Sequence, residues 1–226
     1  MTILLVVAKA PVPGAVKTRL CPPASPAQAA RIAAAALRDT LDTVRATPGV
    51  TPVLAWTGRL DDAVDGAALA ETLTGWTMLE QRGADLGERL ANAYAEVAAA
   101  YPGRPVLQIG MDTPQLTPAR LAAAVRRLDS VEAVLGAALD GGWWSLGLRD
   151  PRHATLLRTV PMSTPETGRG TWSALGERGL RTAALPVLRD VDEWPDALAV
   201  AASVPSGRFA RQVGAVRRDL VPWGRG

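Results

Sequence analysis

Residues 2–8 are an unbroken apolar run, the pattern of a strand buried on both faces of a parallel sheet. Charged residues, prolines and a glycine fill positions 9–19, and an alanine-rich stretch follows. Ser25-Pro26-Ala27-Gln28 reads as a capping box with proline at the first helical position, so a long helix is expected over residues 26–46. Pro48-Gly49 ends it, and the apolar residues 51–56 predict a second strand. A short helix over 61–70 and a short strand over 76–79 come next. Asp85-Leu86-Gly87-Glu88 is a second capping box, opening a helix to about residue 100 that Pro102-Gly103 stops. A third long strand spans 105–109, and Thr117 caps a helix to about 128. Strands over 131–139 and 143–148 flank the sharp turn Asp140-Gly141-Gly142. Helix 167–178, strand 182–188 and helix 195–202 complete the pattern. Strands alternating with helices of roughly 10 to 20 residues imply an α/β fold, Rossmann-like, with a mostly parallel sheet and helices on both faces.

The 226 residues suffice for a substantial core, and no linker divides them, so a single domain is expected over residues 1–205. From Ser206 the sequence is basic and rich in Gly and Arg, which reads as a mobile tail over 206–226. Formal charge is +3, and the excess sits largely in Arg208, Arg211, Arg217, Arg218 and Arg225, so the basic balance does not argue for a nucleic-acid partner. The first apolar run is too short for a signal peptide and lacks a basic n-region. No run approaches the roughly 18 residues of a membrane span, so the cytoplasm is the expected compartment. One cysteine, Cys21, and one histidine, His153, exclude a disulfide framework and the usual zinc cages. His153 is expected at the start of a surface helix.

The chemistry concentrates in Lys9-Ala10-Pro11-Val12-Pro13-Gly14-Ala15-Val16-Lys17-Thr18-Arg19-Leu20, directly after the first strand. The prolines stiffen this loop and Gly14 permits a close backbone approach. Lys supplies point charges and Arg a bidentate fork, which suits a polyphosphate. In parallel sheets ligands lie beyond the carboxyl ends of the strands. Asp112, Asp140 and the pair Asp190/Asp192 each follow a strand, so three strands end in carboxylates at the rim that carries the basic loop. Carboxylates facing a polyphosphate call for a hard divalent cation, Mg²⁺ or Mn²⁺. Asp112 and Asp192 are the expected metal ligands, with Asp190 structural. Aspartates at such positions also serve as caps and turn formers without any metal. Trp143 and Trp144 are adjacent on a strand and point to opposite faces, so one packs in the core and the other is free to cover a base or sugar.

Lys9-x-Pro11-x-Pro13-Gly14-x-Val16-Lys17-Thr18-Arg19-Leu20 resembles the signature of a bacterial family labelled "transferase 1, radical-SAM/selenodomain-associated" (DUF2064), often assigned as glycosyltransferase. Its Lys-Thr-Arg-Leu core also resembles the phospholactate guanylyltransferases. Gly110-x-Asp112-x-Pro114 is similar to the metal-binding strand end of the nucleotide-diphospho-sugar transferase superfamily. Asp140-Gly141-Gly142-Trp143-Trp144-Ser145-Leu146-Gly147-Leu148, Asp190-Val191-Asp192 and Asp85-Leu86-Gly87-Glu88-Arg89-Leu90 resemble further motifs of these groups. Departures include Glu193-Trp194 in place of a threonine, Met111 before Asp112, and a partial motif at Met162-Ser163-Thr164.

The resemblance implies a GT-A-like, single-domain fold and a Mg²⁺- or Mn²⁺-dependent transferase. Asp112 and Asp192 would hold the metal, and Lys17, Arg19 and Asp140 would be catalytic. Lys9, Pro13, Gly14, Lys17, Arg19, Gly141, Gly142 and Trp143 are the expected nucleotide contacts. The reading leans to nucleotidyl transfer from a nucleoside triphosphate to a phosphorylated small molecule, because a triphosphate offers the basic loop more charge. Glycosyl transfer from a nucleotide-diphosphate sugar to an acceptor hydroxyl, with Asp140 as base, is the alternative. A binding module without catalysis is the third class. A nucleotide and a small-molecule acceptor are thus the expected partners, with a homo-oligomer left open.

Overall fold

The computed structural model describes residues 1–220 of the chain. One seven-stranded sheet organises it, in the order β3-β2-β1-β4-β6-β5-β7. The strands are β1 (Thr2–Lys9), β2 (Val50–Thr57), β3 (Thr77–Glu80), β4 (Val106–Gly110), β5 (Ala133–Ala138), β6 (Trp143–Leu148) and β7 (Thr182–Leu188). Only β6 runs antiparallel to its neighbours, paired with β4 and β5. The carboxyl ends of the six other strands and the start of β6 therefore share one edge of the sheet.

The apolar run of β1 is buried on both sides, as its sequence requires. Leu4 and Val6 pack with α1 (Pro26–Arg45), α2 (Gly66–Thr72) and α4 (Pro118–Arg127). Ile3 and Leu5 pack with α3 (Leu86–Ala100), the 3-10 segment Pro151–Arg158 and α5 (Thr167–Glu177) on the other face. The expected caps form: Ser25 makes a reciprocal capping box with Gln28, Thr117 accepts from the Arg120 amide, and Asp85 accepts from the Glu88 amide. At Asp85 the box is not closed, because the Glu88 carboxylate receives the Ala84 amide instead. The helix expected over 61–70 is broken by Asp65, whose backbone is left-handed, into a 3-10 turn and α2.

The C-terminal segment differs from expectation. Beyond α6 (Trp194–Ser203), residues Arg208–Leu220 form α7, not a mobile tail. Phe209, Val213 and Val216 recur at i, i+4 and i+7, a stripe buried against Leu20, Ile32, Val191 and Val200. Arg208 ties the helix to Asp39 and Asp42 of α1 at 3.1 and 2.7 Å. Residues 221–226 of the expected tail, including Arg225, lie outside the described residues. Truncating the fully buried Phe209 to alanine is expected to cost about 3–5 kcal/mol. Urea denaturation measures this, and a loss under about 1 kcal/mol would mean that α7 is not docked in solution. Among the described residues no helix is long and apolar enough to cross a membrane.

Candidate active site

The loop from Lys9 to Leu20 is pinned at alternate points. Ala10, Val16 and Leu20 are buried, and the Ala10 amide bonds to the Thr57 carbonyl at 2.8 Å. These anchors leave Pro13–Ala15 exposed at the tip and turn Lys17 back toward the sheet edge. Lys17 adopts a left-handed backbone (φ 49°), a conformation that costs a side-chain-bearing residue of order 1 kcal/mol and persists where other contacts hold it.

Those contacts are carboxylates. The Lys17 side chain is 10% exposed, and its Nζ lies 2.8 Å from Asp112 Oδ1 and 3.5 Å from Asp192 Oδ1. It also donates to the Val191 carbonyl, while the Val191 amide donates to the Asp112 carbonyl at 2.9 Å. The first loop, the end of β4 and the segment after β7 are thereby knitted around one ammonium. Burial works against that charge, but Asp112, Asp192 and Asp190 outweigh it and hold the lysine pKa above its ordinary value. Arg19 reaches Asp192 Oδ2 at 2.7 Å from a mostly exposed position.

A second acidic group adjoins the first. Asp140, Asp190 and Asp192 each offer an oxygen within 4.8 Å of the others. Asp190, expected to be structural, faces this cluster. Burial first, and then the Asp140 and Asp192 carboxylates, push its pKa up to about 6. The signal in sequence was the Asp-Val-Asp spacing itself, which sets two carboxylates on one irregular segment. A raised pKa means that the fold holds this proton more tightly than the unfolded chain does. The resulting stabilisation is complete below the unfolded value of 3.8 and is lost as pH rises through about 6. In chelator-containing buffer Asp190→Asn is therefore expected to melt above wild type near pH 7, and to lose that advantage as pH falls toward about 4. A wild type more stable than the variant at neutral pH would contradict the assignment.

Two adjoining cavities, of about 520 and 820 Å³, share Arg19, Met111, Asp112, Ser163 and Asp192. The smaller is lined by the basic loop, including Lys9, Lys17 and Thr18. The larger opens over β4 and β6, between the starts of α3 and α5. Asp140, Gly142 and Trp143 reach it, whereas Pro13, Gly14 and Gly141 line neither. Gly141 has φ +90°, and a Cβ there would stand 2.1 Å from the Pro165 carbonyl oxygen, so that position is a backbone packing point. The two tryptophans separate as their alternation requires. Trp143 donates to Thr171 Oγ1 beside the cavity, and Trp144 is buried over Gly136 on the opposite side. Gln81, in the loop before α3, bonds to the Ala8 and Ala55 carbonyls and so splices β1 to β2. His153 sits half-buried in the first turn of the 3-10 segment, away from both cavities.

Residues 40–164, more than half of the chain, match the family described as "Uncharacterized protein conserved in bacteria (DUF2064)". No curated protein matches the sequence. Among solved structures, the chain is similar to a protein of Desulfovibrio desulfuricans G20 provisionally described as a nucleotide-diphospho-sugar transferase. The TM-score is 0.80 at 23% identity, over 97% of this chain and 95% of that one. It is also similar to the manganese complex of Rv0371c from Mycobacterium tuberculosis H37Rv, with TM-score 0.54 at 18% identity over 88% and 98%. A third likeness is to CMP:2-keto-3-deoxy-manno-octonic acid synthetase bound to CTP, with TM-score 0.55 at 12% identity over 91% and 99%. These likenesses establish that the chain shares the α/β fold of these structures.

Proposed function

The chain belongs to the DUF2064 family, and from that premise and the site we propose that it is a divalent-metal-dependent transferase using a nucleotide donor, with nucleotidyl transfer the favoured reaction. The observation that carries this is Lys17, whose ammonium is held between Asp112 and Asp192 at the seam of a cation-lined and an acid-lined cavity.

The residues fit a hard cation. Oxygen donors converge from three strand ends, and an ammonium already sits between two of them, so the place favours positive charge. Asp112 and Asp192 would hold Mg²⁺ or Mn²⁺, with Asp140 and Asp190 adjacent. A bound metal of this kind neutralises phosphate charge and fixes its geometry. The protein's own groups do the rest. Lys9, Lys17 and Arg19 bind the donor polyphosphate in the smaller cavity, and Lys17 stabilises charge on the departing pyrophosphate. Asp140 and Asp190 face the larger cavity, where an acceptor would lie. Asp140, on the wall of that cavity, is placed to take the proton of an attacking hydroxyl.

The charge of the larger cavity favours a second reading. Among the described residues its lining carries six carboxylates, Asp112, Asp140, Asp190, Asp192, Glu193 and Asp196, against one cation, Arg19, which is paired with Asp192. The expected phosphorylated acceptor would find no free cationic side chain among them. A hydroxyl acceptor fits better, and it is the acceptor that glycosyl transfer from a nucleotide-diphosphate sugar requires.

Calorimetric titration with nucleoside triphosphates, diphosphates and nucleotide-sugars, each with Mg²⁺, separates the two reactions. Tightest binding of a triphosphate supports nucleotidyl transfer, and tightest binding of one nucleotide-sugar supports glycosyl transfer. No metal-dependent binding of any of them would sink both.

A further inference from the structure

β4 runs Val106-Leu107-Gln108-Ile109-Gly110, and its one polar side chain lies in the sheet interior. Gln108 is 3% exposed, and its Oε1 has no hydrogen-bond partner among the described residues. A buried acceptor left unpaired costs about 1–3 kcal/mol, so it is retained where something compensates. Gln108 lines the larger cavity, together with the apolar Val7, Leu86, Leu90, Trp143 and Met162. Nearer the rim, Thr113 is 2% exposed, also lines this cavity, and its Oγ1 is likewise unpartnered among the described residues.

The cavity thus has three zones. An apolar slot holds one amide at its base, a hydroxyl stands nearer the mouth, and carboxylates form the rim. β4 ends at Gly110, two residues and roughly 7 Å of extended strand beyond Gln108, and the bend that follows carries Asp112. A molecule reaching from the amide to the carboxylates spans on the order of 10 Å, the length of a para-substituted aromatic ring with a short side chain.

We propose that the larger cavity selects an uncharged acceptor alcohol with an apolar or aromatic body, whose far end carries a polar group that hydrogen-bonds to the Gln108 amide. The reacting hydroxyl then stands at Asp140 and Asp190, and Trp143 covers the body. Gln108 is a specificity residue for the acceptor and takes no part in donor binding. The inference rests on the transferase reading for its chemistry, but its binding test does not.

The probes are 4-(2-hydroxyethyl)phenol, 2-phenylethanol, which lacks the phenolic hydroxyl, and 2-phenylethyl phosphate. Binding is followed by the indole ¹⁵N–¹H resonance of Trp143, assigned with Trp143→Phe, in wild type and Gln108→Leu. The diol is expected to shift that resonance and to bind about three- to tenfold more tightly than 2-phenylethanol, the usual worth of one hydrogen bond. In Gln108→Leu this preference should vanish. The same variant should melt above wild type, because the unpaired buried carbonyl is gone. A variant that gains stability while losing discrimination marks a binding group and not a structural one. Gln108→Leu that is destabilised with its discrimination intact would overturn the proposal. So would a phosphate binding better than the alcohols, or no shift with either alcohol. Mg²⁺–nucleotide titration of the same samples tests the donor reading separately: its failure with the alcohol results intact removes the chemistry and leaves the slot. Unchanged nucleotide binding in Gln108→Leu is the expected control.

Discussion

Lys17→Ala is expected to lower kcat/KM with the preferred triphosphate by about 10²–10³, the cost of removing one preorganised donor from a developing negative charge. The size follows from the placement of the ammonium. It is nearly buried, its position is fixed by Asp112, Asp192 and the Val191 carbonyl, and its pKa is held above the ordinary value, so it stays charged throughout the neutral range. Alanine in the same left-handed backbone brings no new strain of a kind that lysine lacked. Both carboxylate partners are more than a third exposed, so the stability change should stay near 1 kcal/mol. Arg19→Ala is the internal contrast. Its side chain is mostly exposed, and a loss of about tenfold or less is expected. Steady-state kinetics of the two variants, with melting curves beside them, decide the matter. Equal losses would remove Lys17 from its special role. Activity with a nucleotide-sugar that survives Lys17→Ala would favour glycosyl transfer.

The second large effect belongs to the carboxylates. Asp112→Asn and Asp192→Asn each keep the shape of the site and remove one charge that would face the metal. Each is expected to reduce activity by about a thousandfold or more, several kcal/mol of lost charge stabilisation. Metal-dependent nucleotide binding, read by calorimetry with and without chelator, should weaken in parallel. Two further consequences separate this from misfolding. Either variant loses one of the carboxylates that raise the Lys17 pKa, so that value should fall. The exposure of both groups predicts little change in melting temperature. Full activity in either variant would show that the metal lies elsewhere, with the Asp140–Asp190 side of the cluster as the next place to look.

Most of the framework was legible because local signals agreed with one another. Ser25 and Thr117 start helices as hydrogen-bonding caps, and the apolar run of residues 2–8 became the central strand β1. The basic loop and the strand-end aspartates were legible for a topological reason, since a parallel sheet delivers strand ends to one edge. What escaped had a different cause in each instance. The stripe Phe209, Val213 and Val216 is sparse, and the arginines between its members made the segment read as a solvated tail. Asp190 and Asp192 differ only in which way an irregular backbone turns them, and spacing alone does not decide that. Gln108 was hidden inside an apolar run that predicts a strand whatever sits at its centre. The informative signal there was a single amide where burial calls for carbon.

In the proposed site Asp112 and Asp192 would hold a divalent cation and Lys17 would grip the donor polyphosphate. The most direct test is the anomalous scattering of manganese in crystals grown with Mn²⁺ and a non-hydrolysable nucleoside triphosphate. The expected result is a peak bonded to oxygens of both aspartates and to phosphate oxygens, with the Lys17 ammonium on the same phosphates. A triphosphate bound with no peak there, or a peak ligated only by Asp140 and Asp190, would contradict it.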